Sequence, residues 1–174
     1  MLNMKNLEKI GVAKFGKDRT YVKMVGCDKV EFLVKDEMFK KARPFKNGFG
    51  LVLRKNGIWN YVSEDGKILS DIDFLEAEEF LDTEIAIVTM KNSYGVISYN
   101  CINKNGYFLF GDTPIIKIEV FENTIMTKYD NNFINIWNID GTLLFSIGRN
   151  EAKYYYEKEI GGVYKVTWPD GGYN

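Results

Sequence analysis

The chain has 174 residues, 45% of them apolar and 27% charged, with a net charge of −1; that is enough for a folded core and too apolar for disorder. Eleven Tyr, twelve Phe and three Trp stand against three Pro, an enrichment that favours strands. No run of 18 apolar residues is present, which excludes a membrane-spanning helix, and the absence of histidine removes Ser-His-Asp and Cys-His catalysis and His-ligated zinc.

The start, Met1 to Lys9, is too polar for a signal-peptide core. A cytoplasmic location is therefore expected, in a bacterial or host cytosol or as a virion component. Cys27 and Cys101 form no CxxC pair and are expected to be reduced, inert thiols. Residues 1–38 are expected to be a degenerate N-terminal repeat or cap, with Met4, Leu7 and Ile10 as a faint echo of the later copies.

From residue 39 a repeat is readable. Phe39, Ala42 and Phe45 place apolar groups at intervals of three, and Phe74, Ala77 and Phe80 do the same. Ile115, Ile118 and Phe121 form a third copy. The closing Phe residues stand 35 and then 41 positions apart. This spacing suits a short helical turn or an extended connector. Pro44 stops any helix in the first copy, whereas Ser70 to Asp82 could form a short one.

After each connector the same events recur. A strand-like run, Phe49 to Leu53, Ile85 to Met90 or Thr124 to Thr127, is followed by a polar turn. A second strand then opens at Trp59, Tyr94 or Ile134. A further turn at Asp65-Gly66 or Asp140-Gly141 leads to a closing strand; Asn-Gly and Asp-Gly between β-rich runs are strong hairpin signals. The middle copy carries a longer excursion from Ser98 to Asp112 with its own turn at Asn105-Gly106, which accounts for the wider spacing. Three repeats result, at 39–73, 74–114 and 115–145, with 146–174 as a C-terminal strand or cap and one compact domain overall. Their expected core is Phe39, Ala42, Phe45, Trp59, Phe74, Ala77, Phe80, Tyr94, Ile115, Ile118, Phe121 and Ile134.

These residues resemble the bacterial WG (KWG) repeat, whose pattern runs A-x-x-F, a short strand, Asn-Gly-x-Trp/Tyr-Gly-x-Ile, and a turn with Gly. Ala42, Phe45, Asn56-Gly57-Ile58-Trp59-Asn60-Tyr61-Val62 and Asp65-Gly66 carry it, as do Ala77, Phe80 and Tyr94-Gly95-Val96-Ile97. Only Tyr94-Gly95 keeps the aromatic-Gly pair; Trp59-Asn60 and Ile134-Asn135 replace it. Asn tolerates positive φ best after Gly, so Asn60, Gly66, Gly95, Asn135 and Gly141 are expected at special backbone positions. The resemblance implies an array of binding or structural repeats, common in bacteria and found in phage proteins.

The fold class expected is all-β, an antiparallel β-meander array, propeller-like or solenoid-like, with little helix. No cofactor or metal motif is present: Asp130-Asn131-Asn132 lacks the Gly and Glu of a calcium loop, and Gly161-Gly162 and Gly171-Gly172 form no phosphate-binding pattern. A carboxylate pair among Asp71, Asp73, Glu76, Glu78 and Glu79 is the one residual route to a glycosidase; solvated charge is the simpler reading, and Tyr154 to Tyr156 read as packing rather than a sugar platform. Residues 35–55 hold seven basic side chains against two acidic ones, and residues 64–84 nine carboxylates against Lys67. Lys40, Lys41, Arg43 and Lys46 against Glu76, Glu78 and Glu79 therefore either pair within the chain or dock a partner. Nucleic acid is not expected as a partner, because the domain has no basic footprint. A non-enzymatic protein–protein interaction module or self-associating chain is the leading reading. A structural or accessory subunit of a larger assembly such as a phage particle, and a carbohydrate-binding β domain, are the alternatives.

Overall fold

A computed structural model describes residues 9–26, 29–131 and 133–148, together with the backbone of strands at Lys153–Tyr156 and Tyr164–Thr167. Met4, Leu7, Cys27, Gly161, Gly162, Gly171, Gly172 and the side chains of Tyr154, Tyr155 and Tyr156 lie outside the described residues. Every regular element among the described residues is a β-strand.

Strands β1 (Ile10–Phe15), β2 (Asp18–Val25) and β3 (Lys29–Phe32) form an antiparallel meander. A second joins β4 (Lys41–Ala42), β5 (Phe49–Leu53) and β6 (Trp59–Ser63). A third has the order β7 (Glu76–Ala77), β8 (Ile85–Lys91) and β9 (Ile97–Asn103). The fourth has four strands, β10 (Ile115–Val120), β11 (Thr124–Tyr129), β12 (Ile134–Asn138) and β13 (Leu143–Ile147). A ribbon of β14 (Lys153–Tyr156) and β15 (Tyr164–Thr167) comes last. The connectors are thus extended and open the second, third and fourth sheets: Ala42 lies opposite Val52, Ala77 opposite Val88 and Ile118, in the place of the alanine, opposite Thr127. The helical option over Ser70 to Asp82 is corrected, since β7 occupies its middle and pairing with β8 satisfies its main chain better than an isolated turn.

The chain divides into two compact units, Met1–Met90 with Ile102–Tyr107, and Lys91–Cys101 with Phe108–Asn174. In the first, Tyr21, Leu33, Val34 and Phe39 pack against Val52 and Val62, with Ala42, Phe45 and Ile68 around them. Phe39 exchanges both main-chain bonds with Arg19, and Phe74 does so with Trp59. Each Phe therefore ends one sheet before the chain opens the next. In the second unit Met126, Ile134, Ile136 and Ile147 form a core against which Phe121 packs.

A common register appears in the second turn of each copy. Ser63 N–H donates to Lys67 O while Gly66 N–H donates to Ser63 O, and the pattern recurs at Asn103, Tyr107 and Gly106 and at Asn138, Thr142 and Gly141. The turn at Asn105-Gly106 is therefore the regular one of its copy and not an insertion. Part of the extra length lies instead in β8 and β9, which have seven residues each against five in β5 and β6.

Gly66 and Gly106 carry φ of 82°. A Cβ on Gly66 would lie 2.1 Å from Leu33 O, and one on Gly106 would lie 2.7 Å from Leu69 O. The turn thus needs glycine twice over, for its left-handed backbone and for close approach to the preceding repeat.

Candidate functional site

The structure distributes the sequence-derived candidates unevenly. Phe39, Phe74, Phe80, Ile115 and Ile134 are buried, while Ala42, Phe45, Trp59, Ala77, Ile118 and Phe121 are half-buried. Tyr94 is a correction: it is 79% exposed. The bonds from Asn92 N–H to Val96 O and from Gly95 N–H to Asn92 O make it a turn residue, matching Asn56 and not Trp59. Gly95 therefore corresponds to Gly57, and both have positive φ.

Asn60 and Asn135 are a second correction. Gly66, Gly95 and Gly141 have positive φ, but the two asparagines do not. Both lie inside strands, opposite Val52 and Thr127, where extended backbone is required. What singles them out is the side chain. Asn60 is fully buried, donates to Ser70 O at 2.8 Å and Asp73 Oδ1 at 2.9 Å, and accepts from Tyr61 N–H. Asn100 repeats this, donating to Phe110 O at 2.9 Å and accepting from Cys101 and Phe110 N–H. In both, an amide does the work of a missing strand pairing. Asn135 is the third of the series, since Asn60, Asn100 and Asn135 each stand three residues before the first residue of the common turn.

The two charged blocks meet within the first unit. Arg43 and Lys46 both reach Glu79, at 3.3 and 3.8 Å. Arg54 is held between Glu37, at 2.7 Å, and Asp73, at 3.0 Å, and the hydrogen bond to Glu37, then that to Asp73, raises its already high pKa. Asp73 in turn accepts from Asn60, so charge and amide form one network. Lys40, Lys41, Glu76 and Glu78 are exposed.

In the second unit a cavity of about 440 Å³ opens beside β11 and β12. Phe110, Tyr129, Phe133 and Trp137 supply aromatic walls, and Thr113, Asn131, Asn135 and Ser146 supply uncharged polar groups. Trp137 Nε1 donates to Thr127 Oγ1 at 2.8 Å, which fixes the indole. The ring centroids of Phe110 and Trp137 are 4.9 Å apart and tilted by 49°. None of these residues except Asn135 is among the sequence-derived candidates. The overlooked signal is the series Asn60-Ser63-Gly66, Asn100-Asn103-Gly106 and Asn135-Asn138-Gly141, with intervals of three. The aromatic residues carry no such mark.

Among the described residues no group of three or more His, Cys, Asp or Glu side chains is placed to hold a metal ion, and no helix is long and apolar enough to cross a membrane. Cys101 is buried.

No family model matches the chain, and no curated protein does. Among solved structures it is similar to the computationally designed Ika4 protein at 16% identity, over 75% of this chain and 85% of that one, with a TM-score of 0.40. It is also similar to the designed Ika8 protein at 16% identity, over 93% and 56% of the two chains, with a TM-score of 0.39. The WD40 β-propeller domain of Doa1 matches at 10% identity, over 87% and 55%, with a TM-score of 0.35. The chain spans a little over half the length of the Ika8 and Doa1 chains that it matches.

Proposed function

We propose that this chain is a non-enzymatic β-repeat interaction module whose partner is a protein, and that a second copy docks on the outer face of the first sheet. The observation that carries this is the exposure of Phe15, Met24, Val30 and Phe32, at 49, 41, 61 and 47%. Strand alternation and the registers Phe15↔Asp18, Met24↔Val30 and Val22↔Phe32 put these four side chains on one face with Val22. The Phe15 and Phe32 rings lie 5.7 Å apart. A contiguous apolar patch in place of scattered exposed residues marks an interaction surface.

The second sheet indicates what covers such a face. Val62 and Ile68 bridge one another as Val22 and Phe32 do, and they are packed beneath Tyr21, Leu33 and Phe39 of the preceding repeat. The first sheet offers the same socket, and no such cover is present on it among the described residues. A two-fold pairing of the face with itself buries apolar against apolar side chains, with Asp18 beside Phe15 already paired to Lys55 at 3.1 Å. The A-x-x-F connectors leading into the second and third sheets, with Ile118-x-x-Phe121 leading into the fourth, support reading the chain as degenerate WG-type repeats.

Light scattering over a concentration series tests the docking. The wild type is expected at twice the chain mass of 20.1 kDa, and Val30→Lys and Phe32→Lys at the chain mass with an unchanged circular dichroism spectrum. A wild type that stays monomeric throughout overturns it.

A further inference from the structure

We infer that the cavity of the second unit is a binding site for a neutral sugar, and that Asn135 is its principal polar contact. The first support is the altered employment of one asparagine. In the first two copies of the series the amide is consumed by the fold: Asn60 bonds Ser70 O, and Asn100 bonds Phe110 O. There the chain leaves the sheet after a short closing segment, which in the first of them is a single bridge, Val62↔Ile68. In the last copy the chain instead continues as the full strand β13, which runs alongside β12 with Ser146 opposite Asn135. Backbone bonds now do what the amide does elsewhere, and the side chain is released. Asn135 is half-buried, and among the described residues its side chain makes a long hydrogen bond of 3.4 Å to the Tyr129 hydroxyl. A residue kept as a strand brace has become a polar group on a cavity wall.

The second support is the chemistry of the walls. A volume of about 440 Å³ lies in the range of roughly 300–1,000 Å³ over which pockets hold small molecules, mostly apolar surface with a few placed polar groups. Phe133, 42% exposed, and the half-buried Tyr129 and Trp137 offer apolar surface at the mouth, and the amides of Asn131 and Asn135 offer donors and acceptors. Among the described residues no Lys, Arg, Asp or Glu lines the cavity. A phosphate or carboxylate would have to shed water there without a counter-charge, which is costly. The Phe110 and Trp137 rings are tilted by 49° and pack on each other, so this pair forms no parallel-walled slot for a flat aromatic ring. A pyranose, with an apolar C–H face and a rim of hydroxyls, fits both properties. This inference is independent of the docking face on the first sheet.

The test is a titration of the full chain with the methyl glycosides of glucose, galactose, mannose and N-acetylglucosamine, beside glucuronate and glucose 6-phosphate. Saturation-transfer NMR and the side-chain signals of Asn131, Asn135 and Trp137 are the readouts. At least one neutral glycoside is expected to bind saturably and to shift these signals, with the charged sugars silent. Asn135→Ala is expected to weaken binding roughly three- to ten-fold, the loss of one hydrogen bond, with no change in the unfolding midpoint; Phe133→Ala, at an exposed site, is expected to weaken it as well. Saturation by none of the four, equal binding of the charged sugars, or unchanged affinity in Asn135→Ala overturns the inference.

Discussion

The Tyr21 hydroxyl donates to the Arg43 main-chain oxygen at 2.6 Å, so that a side chain of the first sheet is tied to the connector opening the second. Tyr61 makes the same bond to Glu78 O, also at 2.6 Å, on the connector opening the third. The rings are held alike, Tyr21 edge-on to Phe45 at 4.8 Å and Tyr61 edge-on to Phe80 at 4.9 Å. Gly50 makes room for the first of these, since a Cβ there would lie 2.3 Å from the Tyr21 ring. The closing Phe of the connector is thus half of an aromatic clasp whose other half is the preceding repeat's tyrosine.

Removing one hydroxyl should loosen the clasp measurably. Tyr21→Phe keeps the packing and leaves the Arg43 carbonyl without its partner, so a loss of about 1–2 kcal/mol is expected in urea unfolding. Burial, the largest cause, pushes the Tyr21 phenol well above its usual value of 10.0. A neutral acid with a raised folded pKa contributes stability below the unfolded pKa and loses it as pH climbs past that value. Wild-type stability should therefore fall above about pH 10 more steeply than that of Tyr21→Phe. Parallel pH curves for the two proteins would contradict this assignment.

The turn glycines should separate by surroundings and not by backbone angle. Gly95 has φ of 78° with open space around it, and Gly66 has φ of 82° with Leu33 O in the way of any Cβ. Gly95→Ala should cost about 1 kcal/mol, the left-handed penalty alone. Gly66→Ala should cost at least twice that, because backbone cannot step aside as a flexible side chain can. Thermal unfolding of the two variants side by side decides it.

Replacing the three serial asparagines should give two large effects and one small one. Asn60→Ala and Asn100→Ala leave buried main-chain groups unpaired and should each cost about 1–3 kcal/mol. Asn135→Ala should change stability by under about 0.5 kcal/mol, as expected of a side chain away from such features. Denaturant midpoints for the series are the measurement.

Arg54 is the ion pair whose removal should register. It is 31% exposed, with Glu37 and Asp73 both engaged, whereas Arg43 is 51% exposed against Glu79. Arg54→Met should cost about 1–2 kcal/mol, a charge-assisted pair discounted for solvent. Arg43→Met should fall within the few tenths typical of surface pairs, about 0.2–1 kcal/mol. The Arg54 effect should also persist better at high salt, which unfolding with added NaCl would show.

Fold class is legible in the residues for a local reason. Alternating apolar side chains, abundant aromatics and Asn-Gly or Asp-Gly turns act over a few positions, and each needs only its neighbours to be satisfied. The A-x-x-F spacing likewise marks the starts of two sheets, and Ile118-x-x-Phe121 that of a third. The special backbone expected at Asn60 and Asn135 is not found there, because the aromatic-Gly pair of Tyr94-Gly95 is not their structural counterpart. That pair belongs to a turn, and Tyr94 goes to solvent with it.

What the chain determines by itself, then, is strand, turn and repeat, each set by the stereochemistry of short segments. Only the tertiary structure decided what the same side chain does in successive copies. Asn60 and Asn135 are one residue type at one register position, yet one braces a strand and the other faces a cavity. The difference lies in β13, whose main chain bonds where a departing segment cannot. Such a choice depends on the path of the chain after the motif, to which the motif itself is blind.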